Sequence, residues 1–128
     1  MARDWTPINQ NQLESYIGSG STFRLPHEKR PDWAQDNPKY VEVVAGFARE
    51  GESLASSTTD AAEVWGRLIT IRKDMKDHPK IYNTDGYLLV RDSKGSCWMS
   101  APQRLDDIPH HSSELPTFLA NIDPPPPG

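Results

Sequence analysis

Apolar and polar positions divide this chain into segments of different period. The clearest is at 87–100, where Tyr87-Leu88-Leu89-Val90-Arg91 leads into Asp92-Ser93-Lys94-Gly95 and returns as Ser96-Cys97-Trp98-Met99-Ser100. Two short β-prone runs around a turn with Gly in its left-handed position predict a hairpin over 86–101. Strand 87–91 is apolar on both faces, which suits a central position in a sheet. A short strand at Ile81-Tyr82 is expected to reach it through a turn at 83–86. Upstream the period changes to that of a helix: Ala61, Val64, Trp65, Leu68, Ile71 and Met75 form one stripe over 60–77. Asp60 and Glu63 stand in capping-box spacing at its start, basic residues gather near its end, and His78-Pro79 stops it.

The remaining pattern is weaker. Over 39–50 two readings compete: Asn37-Pro38 with Gly51 would cap a helix, while alternation of Val41, Val43, Ala45 and Phe47, with three valines in four positions, favours a strand. Glu50-Gly51-Glu52 would then turn the chain into a second short strand at 53–56. Thr6-Pro7 reads as a hydroxyl cap with Pro in the first helical position, giving a helix over 7–17 that Gly18 ends. Residues 18–37 form an irregular arm with room for one short helical turn at 31–36, and a last short helix is expected at 114–122. The Pro124–Pro127 run suits polyproline II or a frayed end.

Together these elements predict a single α+β domain over 1–123 with a Pro-rich tail at 124–128. Its small antiparallel sheet, the 86–101 hairpin at its centre, packs against helix 60–77, with an N-terminal helix and irregular arms around it. At 128 residues the chain is long enough to bury a substantial core without staples. The lone Cys97 allows no internal disulfide, and the opening Met-Ala-Arg-Asp-Trp lacks the basic-then-apolar signature of a secretory signal. A soluble, cytoplasmic protein is the expectation. The apolar runs fall far short of the roughly 20 residues of a membrane helix. The net charge of −4 is mild, and the acidity gathers at the C-terminal end, where 81–128 hold six acidic against three basic residues. A clustered basic face is absent apart from Lys29-Arg30 and the end of helix 60–77, so direct nucleic-acid binding is not expected.

Candidate chemistry is sparse. His110-His111 lie near Asp106, Asp107 and Glu114, but the spacing matches no zinc signature and the segment offers no scaffold, so no metal or other cofactor is expected. Cys97 sits in a strand beside Trp98, where a cysteine behaves as a small buried hydrophobe. Trp5 and Trp33 differ, since each stands in a polar, Pro-flanked setting. A tryptophan there either pins a loop to the core or anchors a partner. By elimination the sequence points to a protein-binding module, such as an inhibitor, an immunity-type protein or an accessory subunit of a phage or other complex. Its partner would be another protein, met through Trp5 and Trp33 or through the acidic group Asp106, Asp107 and Glu114. The alternative is a small-molecule-binding domain or minor enzyme with a pocket between helix 60–77 and the sheet.

Overall fold

A computed structural model describes residues 5–27, 30–54, 57–69 and 84–104. Their elements are β1 (Trp5–Ile8), α1 (Gln10–Gly18), β2 (Thr22–Arg24), α2 (Asp32–Gln35), β3 (Tyr40–Arg49), α3 (Ala61–Ile69), β4 (Thr84–Asp92), β5 (Cys97–Ser100) and β6 (Gln103–Arg104). The strands form one antiparallel sheet in the order β1-β5-β4-β3-β2, with β6 pairing the start of β4. The fold class is therefore α+β, with β4 central as its two apolar faces require.

Side-chain alternation sorts the sheet into two cores. Val43, Ala45 and Phe47 of β3, with Leu88 and Val90 of β4, meet Ala61, Val64 and Trp65 of α3 on one face, joined there by Leu25, Ala34 and Tyr40. Val44, Tyr87, Leu89 and Cys97 point to the other face, where Leu13 of α1 covers them. The long strand β3 is thus buried on both sides, and for this reason valines occupy its inward and outward positions alike. The hairpin turn is closed by Gly95 at φ +88° and by the Asp92 carboxylate, which accepts the N–H groups of Lys94 and Ser96.

The N-terminus differs from the sequence reading. Residues 5–8 are a strand, and the helix begins after Asn9, whose side chain and that of Gln12 form the capping box. Thr6-Pro7 is therefore not a helix start. Pro7 lies opposite Trp98 in an outer strand, where a residue without an N–H is tolerated. The arm at 18–37 holds β2 as the opposite outer strand, and its helical turn is α2. Thr84, Asp85 and Gly86 belong to β4 rather than to a turn, because they pair with Arg49, Ala48 and Phe47. Ser53 and Leu54 are not in a strand. The helix at 60–77 is described as α3 over 61–69, with Asp60 accepting the Glu63 N–H at its start, and residues 70–77, the strand at 81–82, the helix at 114–122 and the tail at 124–128 lie outside the described residues.

Candidate functional site

Strand pairing places Trp98 opposite Val90 and Pro7, and Trp5 opposite Ser100, so both indoles share the face that carries α3. Trp33 of α2 approaches from above. Its ring meets Trp5 edge-on at 6.0 Å and Tyr40 at 5.0 Å, while Lys39 Nζ lies 5.4 Å from the Tyr40 ring centre. Phe23 and Trp65 stack at 5.3 Å beneath α3. All four tryptophans therefore occupy one side of the sheet. Trp65 is buried, whereas Trp5, Trp33 and Trp98 are each only partly covered. The structure thus brings together Trp5 and Trp33, the two aromatic candidates of the sequence, from opposite sides of α1 and β2. Asp106, Asp107, Glu114 and the His110-His111 pair lie outside the described residues.

Three polar arrangements had no signature in the sequence. On the α1 face, Arg24 of β2 and Arg91 of β4 flank Glu42 of β3, whose side chain is 6% exposed. Arg24 Nη2 donates to Glu42 Oε2, and Arg91 Nη2 lies 3.2 Å from Oε1. The convergence is invisible in the chain because β-sheet register, not sequence proximity, creates it. At the far end of β3, Glu52 accepts the Arg49 N–H and the hydroxyls of Ser57, Thr58 and Thr59. Burial pushes its carboxyl up, but those four donors together outweigh it and lower the pKa to about 2. Ser57 Oγ also lies 2.9 Å from the Phe47 carbonyl oxygen, so the cluster holds the segment leading into α3 against the sheet.

The third arrangement is the Tyr87 hydroxyl, which lies in the α1-side core without a well-formed hydrogen bond. Burial raises its pKa to about 12; nearby Ser21 opposes the shift and Tyr16 adds to it. Cys97 is buried and burial raises its thiol pKa, with Arg91 opposing, so it lacks the depressed pKa of a nucleophile. Among the described residues no group of three His, Cys, Asp or Glu side chains is arranged to hold a metal ion, and no helix is long and apolar enough to cross a membrane. No family model, curated protein or solved structure matches the chain.

Proposed function

We propose that this domain binds another protein through the aromatic side of its sheet, with Trp5 and Trp33 as anchors and Trp98 extending the contact along β5. The observation that carries this reading is the edge-on Trp5–Trp33 pair at 6.0 Å, set at an outer strand with neither ring buried. Partly exposed tryptophans held rigid by neighbouring rings are the side chains that dominate protein interfaces, because they desolvate a large area at little cost in rotamer freedom. A small-ligand pocket between α3 and the sheet has less support, since Ala61, Val64, Trp65 and Phe23 fill the described part of that interface. An inhibitor, an immunity-type protein or an accessory subunit fits such a surface.

The test is quantitative affinity capture from the native source with wild type, Trp5→Ala and Trp33→Ala, alongside thermal melts of each. The expected result is a partner that both variants bind more weakly, by about 2 kcal/mol or more, while remaining folded at the assay temperature. Equal capture by all three proteins, with Trp33→Ala losing only stability, would show that the pair merely pins α2 to the sheet.

A further inference from the structure

On the face opposite the tryptophans, the Arg24–Glu42–Arg91 group has the features of a recognition site. A carboxylate as buried as Glu42 is a poor stabilising device, because its desolvation offsets most of the attraction and apolar replacements of such groups are often neutral or better. Its geometric effect is definite: it fixes two guanidinium groups on the strands either side of β3 while leaving Arg24 68% and Arg91 36% exposed. Each guanidinium carries five N–H donors, and Glu42 occupies one nitrogen of each. Arg91 Nε is buried and without a partner, so it is the Nη ends of the two guanidinium groups that face outward. Two positive charges against one negative leave the group cationic.

The surroundings narrow the ligand. The β-bulge between Tyr40 and Glu42 turns out Val41, which is 48% exposed and is the exposed large hydrophobic residue among those described. Asp92, next to Arg91, is engaged by the N–H groups of Lys94 and Ser96, and Glu14 on α1 is a further carboxylate near this group, close enough to influence Cys97. Forked donors beside an apolar side chain match carboxylates carried on a peptide better than a free hydrated ion. From this charge complementarity we infer that Arg24 and Arg91, positioned by Glu42, dock an acidic peptide segment of a partner protein. The site is independent of the aromatic surface, which lies across the sheet.

The test titrates hexaglutamate, hexaglutamine and inorganic phosphate into the full chain and follows the arginine Nε–H signals by nitrogen-15 NMR. Hexaglutamate is expected to shift the Arg24 and Arg91 signals and hexaglutamine to leave them unchanged. Arg24→Gln should weaken hexaglutamate binding about tenfold, and Arg24→Lys should weaken it too, since lysine keeps the charge but not the fork. Glu42→Gln sharpens the distinction: added positive charge alone would tighten binding, whereas loss of positioning weakens it. The inference is overturned by unmoved arginine signals, by tighter binding in Glu42→Gln, or by a phosphate response equal to that of the peptide, which would mark a small-anion site only. Because Arg24 is largely exposed, Arg24→Gln decides the matter even if Arg91→Gln does not fold.

Discussion

The two faces of one sheet are built on different terms. Beneath α3 the core is aliphatic and aromatic, with Phe23 stacked on Trp65 and Trp33 wedged against Trp5 and Tyr40. Beneath α1 the same strands bury a tyrosine hydroxyl without a good partner, a thiol and a carboxylate clasped by two arginines. Since β3 and β4 contribute to both faces, backbone pairing alone cannot account for the difference. The aromatic face gains from apolar burial and ring contacts, roughly 25 cal/mol per Å² plus the ring geometry. The other face gives up part of that gain to hold polar groups in fixed places. Such groups are retained where position matters more than stability.

The largest expected break in this comparison is Trp65→Ala, which removes the indole between α3 and Phe23 and should cost about 3–5 kcal/mol by denaturant midpoint. An unchanged midpoint would take Trp65 out of the core and remove the distinction between the faces. Next is Gly46→Ala on the α1 face. Gly46 pairs with Tyr87 across β3 and β4, and a methyl there would run into the tyrosine ring. Forcing that ring aside should cost about 1–3 kcal/mol, and the cost should shrink when Tyr87 is changed to Leu as well. Additive losses in the double variant would mean that the ring is not what Gly46 accommodates.

Glu52 belongs to neither face and serves as a control. Its folded pKa of about 2 lies below the ordinary 4.5, so the carboxylate contributes stability fully present above pH 4.5 and lost as pH falls towards 2. Glu52→Gln should flatten the stability–pH curve over that window while leaving the neutral-to-alkaline limb unchanged. The smallest effect is that of Tyr87→Phe. Removing a buried hydroxyl that lacks a good partner should be neutral or stabilising, within about 1 kcal/mol. With its pKa raised from 10 to about 12, Tyr87 contributes stability that is present below pH 10 and lost as pH rises through 12. The variant should therefore lose part of the alkaline fall in melting temperature, and a wild-type alkaline limb in the variant would assign that fall to other groups.

What the sequence revealed depended on whether a signal was local. The 86–101 hairpin was legible because alternation, β-branching and turn residues act over a few positions, whereas at 39–50 the same β-branching only tilted the balance against the helix caps Asn37-Pro38 and Gly51, and pairing with β2 and β4 decided for strand. The start of α3 was legible through its apolar stripe. The helix expected over 7–17 began late because Thr6-Pro7 and Asn9-Gln10-Asn11-Gln12 are both acceptable caps. Pairing of Trp5–Ile8 with Cys97–Ser100 decided between them, and that information lies at the other end of the chain. Trp5 and Trp33 stood out by their polar settings, yet their contact depends on α2 folding over the sheet. Arg24, Glu42 and Arg91 carried no signal at all, since three ordinary charged residues become a group only when β2, β3 and β4 fall into register.

The pairing of β1 with β5 also sets an order of events. Trp5 finds Ser100 only after nearly the whole described chain has been made, so closing this outer edge is the most entropically demanding contact in the sheet. Cys97 lies directly under that edge, opposite Ile8 and 2% exposed. Its thiol is thus a built-in clock. Alkylation that outpaces global unfolding would report β1 and α1 lifting away together while the central hairpin holds, and alkylation at the global rate would show that the edge and the centre open as one cooperative unit.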